Sequence, residues 1–217
     1  MKQLIFSLLA LLAVQSICAQ RAFSGLSPGQ SKPVHEHQGI FLSMSLGPVF
    51  GKISDATSSY DMTFSGPGAK FDVKLGGVIG KNLILHATLL SEIIAGPKIA
   101  ISNGTSGKAN DNLNIGESML GGGVTYYLAP SNIFFSGSVG LGGYSIIDNT
   151  NKANNVSTQQ GFSCQLKAGK EWWISPRWAI GIAFTYSKTK LTNEPGGGVS
   201  EKLNSNRFGI LLNATLN

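Results

Sequence analysis

The residues able to do chemistry in this chain are few: three histidines, two cysteines and a sparse set of charges set among apolar runs. His35 and His37 flank Glu36, and in extended backbone such an i, i+2 pair could share a metal ion. A complete site needs further ligands, and the remaining histidine, His86, stands alone in sequence. The segment therefore reads as a solvated polar tail, with no metal site and no cofactor expected. Cys164 has Phe162 and Leu166 as period-two neighbours, which makes it a small apolar wall residue rather than a reactive thiol. No G-x-S-x-G element appears, and no catalytic residue is assigned. The charges that stand out are Asp72, Lys74, Lys167 and Glu171. Each interrupts the polar face of an alternating run. If that face is shielded from water, they should pair, because an isolated buried charge is costly.

The elements that carry these residues alternate with period two. Phe162 to Tyr186 shows it best, as FSCQLKAGKEWW and WAIGIAFTY joined by the breaker ISPR. Trp178, Ile180, Ile182, Phe184 and Tyr186 share one face, and Ala179, Gly181, Ala183 and Thr185 the other. That is a strand signal, and two such runs around a tight turn form a hairpin. Six further runs follow the same rule: GIFLSMSLG, AKFDVKLGGVIG, LILHATLLS, SMLGGGVTYYL, IFFSGSVGLGGYS and FGILLNATLN. Short turns at 80–82, 129–132 and 174–177 alternate with four polar stretches, near 52–68, 93–116, 148–160 and 193–205, expected as loops. Eight strands with short turns on one side and long loops on the other predict an all-β, eight-stranded antiparallel up-and-down transmembrane barrel. Runs of about 9 to 13 residues suit a tilted strand crossing lipid.

Composition agrees. Of 217 residues 28 are glycine, and charged residues make up only 13%, about half the usual ~25%. Residues 1–19 read as a secretory signal peptide: a basic start, an apolar stretch too short for the ~20 residues of a spanning helix, and Ala19 before the cleavage point. Residues 20–38 read as a flexible polar segment, and 39–217 as the barrel. Cleavage would remove one of 17 basic residues and no acid, leaving 16 against 11. The excess is spread rather than clustered, so no nucleic acid is expected as a partner. One cysteine, Cys164, would survive cleavage and could close no intrachain disulfide.

Alternation alone also fits a soluble lipocalin-like barrel with its apolar stripe around a ligand. Small residues fill the polar face and aromatics gather near the turns, which favours lipid outside. Tyr126, Tyr127, Trp172, Trp173 and Trp178 are the expected interfacial belt, with Lys170 snorkelling beside it.

Gly169 to Tyr186, GKEWWISPRWAIGIAFTY, resembles the penultimate hairpin of small bacterial outer-membrane β-barrel domain proteins of the OmpA/OmpX type. Lys170-Glu171-Trp172-Trp173, Ser175, Trp178 and Gly181 carry the likeness. It implies a bacterial outer-membrane location, with outer-membrane lipids, lipopolysaccharide and the barrel assembly machinery as partners. This chain ends Leu216-Asn217, where such families usually end on an aromatic. Eight strands enclose a lumen only wide enough for side chains, so the expected role is a monomeric structural or interaction barrel with a plugged lumen. Its external loops would be free for an unknown surface partner. A lipid A-modifying enzyme is the lesser alternative, since His86 lies near the short-turn end, away from external lipid.

Overall fold

The computed structural model describes residues 37, 39–57, 61–196 and 199–216. The expected signal peptide, and the polar segment apart from His37, lie outside the described residues. Eight wall strands follow one another: β1 (Ile40–Ala56), β2 (Gly68–Gly80), β3 (Leu83–Ala95), β4 (Leu113–Leu128), β5 (Ile133–Asp148), β6 (Gly161–Trp173), β7 (Trp178–Gly196) and β8 (Val199–Leu216). Each pairs antiparallel with its neighbour, and β1 pairs with β8 from Leu42↔Leu216 to Ala56↔Lys202, which closes the ring. Closure satisfies every wall strand's ladder, as a backbone in hydrocarbon requires.

The registers fix the barrel's dimensions. A row of paired residues runs from Ile40 through Gly77, Leu85, Val124, Gly137, Leu166, Tyr186 and Phe208 to Phe50. One circuit has therefore climbed ten residues along β1. Eight strands with that shear, at ~3.3 Å per residue and ~4.8 Å between strands, give a tilt of about 40° and a backbone radius of about 8 Å. The ten-residue climb is an axial rise of about 25 Å, the height of a lipid-facing band. Such a cylinder has room for side chains and for little else.

The short turns fall where the breakers predict. Asn82 and Asn132 take positive φ, 61° and 55°, a conformation that asparagine tolerates better than most residues. Three of the four polar stretches differ from expectation: they are not open loops, because wall strands of 13 to 19 residues run on past the lipid. The third, 148–160, is a connection as expected, with only a 3-10 turn at Lys152–Asn154 and the short strand Val156–Ser157. Leu191↔Leu203 and Gly196↔Val199 keep β7 and β8 paired through most of the stretch expected as a fourth loop. Short strands Asp61–Ser65, Lys98–Ile101 and Ser106–Lys108 continue the sheet above the first two hairpins. Hydrophobic alternation stops where lipid stops, but backbone pairing does not. The change of direction comes at Gly66-Pro67 and Gly96-Pro97. Between the pairs Gly68↔Ile94 and Ser65↔Lys98 one strand advances three residues and the other four, a one-residue bulge at Gly96, whose φ is +53°. In the third hairpin Asp148 accepts from the Thr150 and Asn151 amides at 2.8 and 3.1 Å and from Asn154 Nδ2 at 2.9 Å. The Asn154 amide, then the two backbone donors, hold its carboxyl below the ordinary range.

Glycine is required where strands bend most tightly. Gly121 and Gly140 pair across β4 and β5, and a Cβ on Gly121 would collide with the Val139 carbonyl oxygen, a backbone atom that cannot step aside. Gly121→Ala should therefore cost about 1–3 kcal/mol, the usual range for overpacking, measured as a lower urea midpoint for the vesicle-folded barrel.

Candidate functional site

The barrel interior collects most of the chain's buried polar groups, and it is layered. At the short-turn end, inward residues Phe41, Ile84, Tyr127, Phe134 and Ala183 pack into one apolar cluster, with Val78 against it. His37 covers this mouth. Its ring stacks on Tyr127 at 3.7 Å between centroids and lies 5.3 Å from Trp173, while Nε2 bonds Asn132 Oδ1 at 2.9 Å. At the opposite end Ile53, Ile94, Ile115, Tyr144, Leu191 and Leu203 form a second cluster, with Phe64 against it. Above that cap Asp55 has its carboxyl raised by burial, and then by Glu201 and Asp61 nearby.

Between the caps lies a charged core. Lys167 Nζ donates to Asp72 at 3.0 Å, to Ser45 at 2.6 Å and to Asn213 at 3.1 Å. Asp72 also accepts from Gln165 Nε2 at 3.0 Å. Lys74 Nζ is held at 3.0 Å by each of Ser136, Ser138 and Gln165 Oε1. Below them Glu171 accepts from Thr215 at 2.7 Å, from Tyr127 at 3.2 Å and from Asn213. Above them Glu92 joins Lys70 at 2.9 Å and Arg207 at 3.3 Å, and takes the Ser187 hydroxyl at 2.6 Å. Glu117 accepts from Ser205 at 2.8 Å. Among the described residues four lumen cations, Lys70, Lys74, Lys167 and Arg207, thus face four lumen carboxylates, Asp72, Glu92, Glu117 and Glu171, all buried. Charge neutrality and hydroxyl-rich walls offset desolvation that no single pair would cover.

The structure puts Asp72, Lys74, Lys167 and Glu171 inside together, but their pairing departs from expectation. Among the described residues only Asp72 and Lys167 of the four share a salt bridge; Lys74 and Glu171 are held by neutral partners. Lys70, Glu92, Glu117 and Arg207 were missed. Strand parity places Lys70, already inside the run AKFDVKLGGVIG, with Asp72, and runs extended by one residue reach Glu92, Glu117 and Arg207 on the polar face. Of the expected belt, Tyr126, Trp172 and Trp178 lie on the outward side of their strands. Tyr127 and Trp173 do not. Each follows an outward aromatic, and adjacent strand residues point to opposite faces, so Tyr127 is buried in the lower cap and Trp173 faces His37. Lys170 projects outward, its Nζ 5.7 Å from the centre of the Trp172 ring. His86 is buried, bonded to Thr88 and Thr125 at 3.0 Å each.

Outside, an apolar coat covers the wall: Leu75, Leu85, Val139, Leu166, Ile182, Phe184, Ile210 and Leu212 are all exposed. This is the reverse of a lipocalin, whose apolar residues line the lumen. An outward apolar band about 25 Å tall around a charged interior defines a small eight-stranded β-barrel of bacterial outer membranes. Among solved structures the chain is similar to neisserial surface protein A, with a TM-score of 0.53 at 11% identity over 82% of this chain and 96% of that one. It is likewise similar to the outer membrane protein OprG of Pseudomonas aeruginosa, with a TM-score of 0.50 at 11% identity over 85% and 99%. At that identity the likeness shows a shared fold. No protein-family model matches the chain, and no curated protein matches it.

Proposed function

We propose that this protein is a non-conducting outer-membrane scaffold, a monomeric plugged barrel that holds four extracellular hairpins for contact with a surface partner. The observation behind this reading is the state of the mid-lumen side chains. Lys70, Asp72, Lys74, Gln165 and Arg207 are each at most 1% accessible, between two apolar caps. A continuous water column would wet them. The extended hairpins supply a rigid platform on which partner-reading residues can vary. His86 serves the interior hydrogen-bond network rather than catalysis. The protein reconstituted in planar bilayers should show no stable open state at moderate voltage. A large, long-lived conductance would overturn the proposal.

A further inference from the structure

On β7, β8 and β1 the outward face changes character along one paired row, which climbs about 3 Å per strand. Along β1 it is apolar to Phe50, and the next outward residue is Lys52. Along β7 it runs to Tyr186, followed by Lys188 and Lys190. Along β8, read outward, Phe208 is followed by Asn206 and Asn204. The three strands are neighbours, with pairs Phe50↔Phe208, Tyr186↔Phe208, Lys52↔Asn206 and Lys190↔Asn204. An aromatic shelf, Tyr186–Phe208–Phe50, therefore carries a patch of three lysines and two asparagines on its upper edge. Tyr186 Oη donates to Asn206 Oδ1 at 2.9 Å, which engages the oxygen of that amide and not its N–H donors.

The height of the patch decides its environment. Phe50 stands about 25 Å above Ile40, at the upper limit of the apolar band. Lys188 stands level with Phe50, and Lys52 and Lys190 just beyond it, at the headgroup level of the outer leaflet. Lys52 and Lys190 are exposed and Lys188 is half-buried. Among the described residues none of the three joins a salt bridge, whereas Lys108, further out, is neutralised by Asp111 at 2.7 Å. Three unneutralised ammonium groups, two on β7 and one on β1 with β8 between them and strands spaced ~4.8 Å apart, lie within reach of one polyanionic headgroup. The low-dielectric boundary strengthens any anion held there.

We propose that Lys52, Lys188 and Lys190, with Asn204 and Asn206, form a docking site for the phosphates of lipid A, the glycolipid of the outer leaflet, with its acyl chains lying over the Tyr186–Phe208–Phe50 shelf. The site rests on the outer-membrane placement of the barrel and is independent of whether the lumen conducts. The test uses the folded full chain in neutral detergent, titrated with diphosphoryl lipid A, with dephosphorylated lipid A and inorganic phosphate as parallel arms. Retained lipid is read after size exclusion, and heat-modifiable migration confirms that each variant is folded. K52Q/K188Q/K190Q should weaken diphosphoryl lipid A binding at least tenfold and remove its salt dependence, while K81Q/K170Q at the other rim should leave it unchanged. A triple variant that binds within twofold of the parent would overturn the site. So would equal binding of the dephosphorylated lipid. Displacement of lipid A by equimolar inorganic phosphate would reduce the patch to a free-anion site and overturn the glycolipid assignment. Conductance, measured separately, tells failure here from failure of the plugged-lumen reading.

Discussion

Glu92→Ala is expected to be among the most damaging single substitutions in the barrel, lowering stability by about 3–5 kcal/mol, the range for stripping one partner from a buried ion cluster. Among the described residues Glu92 alone forms salt bridges to Lys70 and Arg207, and both cations are 1% accessible or less. Without it two positive charges remain in a space that admits no counterion. Glu92→Gln keeps the shape and an acceptor for Ser187, so its loss should be smaller. Replacing Lys70, Glu92 and Arg207 together by apolar residues of matched volume should be milder than Glu92→Ala, because no unpaired cation is then left behind and Glu117 keeps its hydrogen bond from Ser205. Urea titration of vesicle-folded protein, followed by tryptophan fluorescence, orders the three variants. If Glu92→Ala unfolds at the parent midpoint, the cluster is not what holds this level of the lumen together.

The second large effect lies on the opposite face. Leu212 is 70% exposed near the middle of the band, and Leu212→Arg should cost about 2–4 kcal/mol by placing a cation in hydrocarbon at that depth. The same change on a soluble barrel would be nearly neutral, since an exposed leucine there already meets water. Comparing folding in vesicles with solubility after the detergent is removed separates the two cases. A fully stable Leu212→Arg barrel in lipid would contradict the assignment of this face to acyl chains.

Much of this was legible because lipid makes period two unusually sharp. Leu83, Leu85, Ala87 and Leu89 could not be oriented from their own apolarity, since Ile84 opposes them; neighbouring strands decide, and His86 and Thr88 go inward. Parity was also the source of the clearest misreading. Tyr126-Tyr127 and Trp172-Trp173 are adjacent pairs, so only one of each could reach the membrane boundary. Beyond the lipid both faces turn polar and the signal ends, and for that reason the continuation of β7 and β8 looked like loop. Lys74 shows a different limit. Its hydroxyl and amide partners come from β5 and β6, and no local spacing in β2 announces them.

The joining of β1 to β8 has a consequence in time. A chain arriving N-terminus first must keep its oldest wall strand waiting, one edge unmatched, until the final 18-residue strand is delivered. A premature stop that removes this strand does not yield a narrower ring. Shear and circumference are set for eight, and seven would leave two raw margins facing hydrocarbon, each with a row of peptide groups that find no partner there.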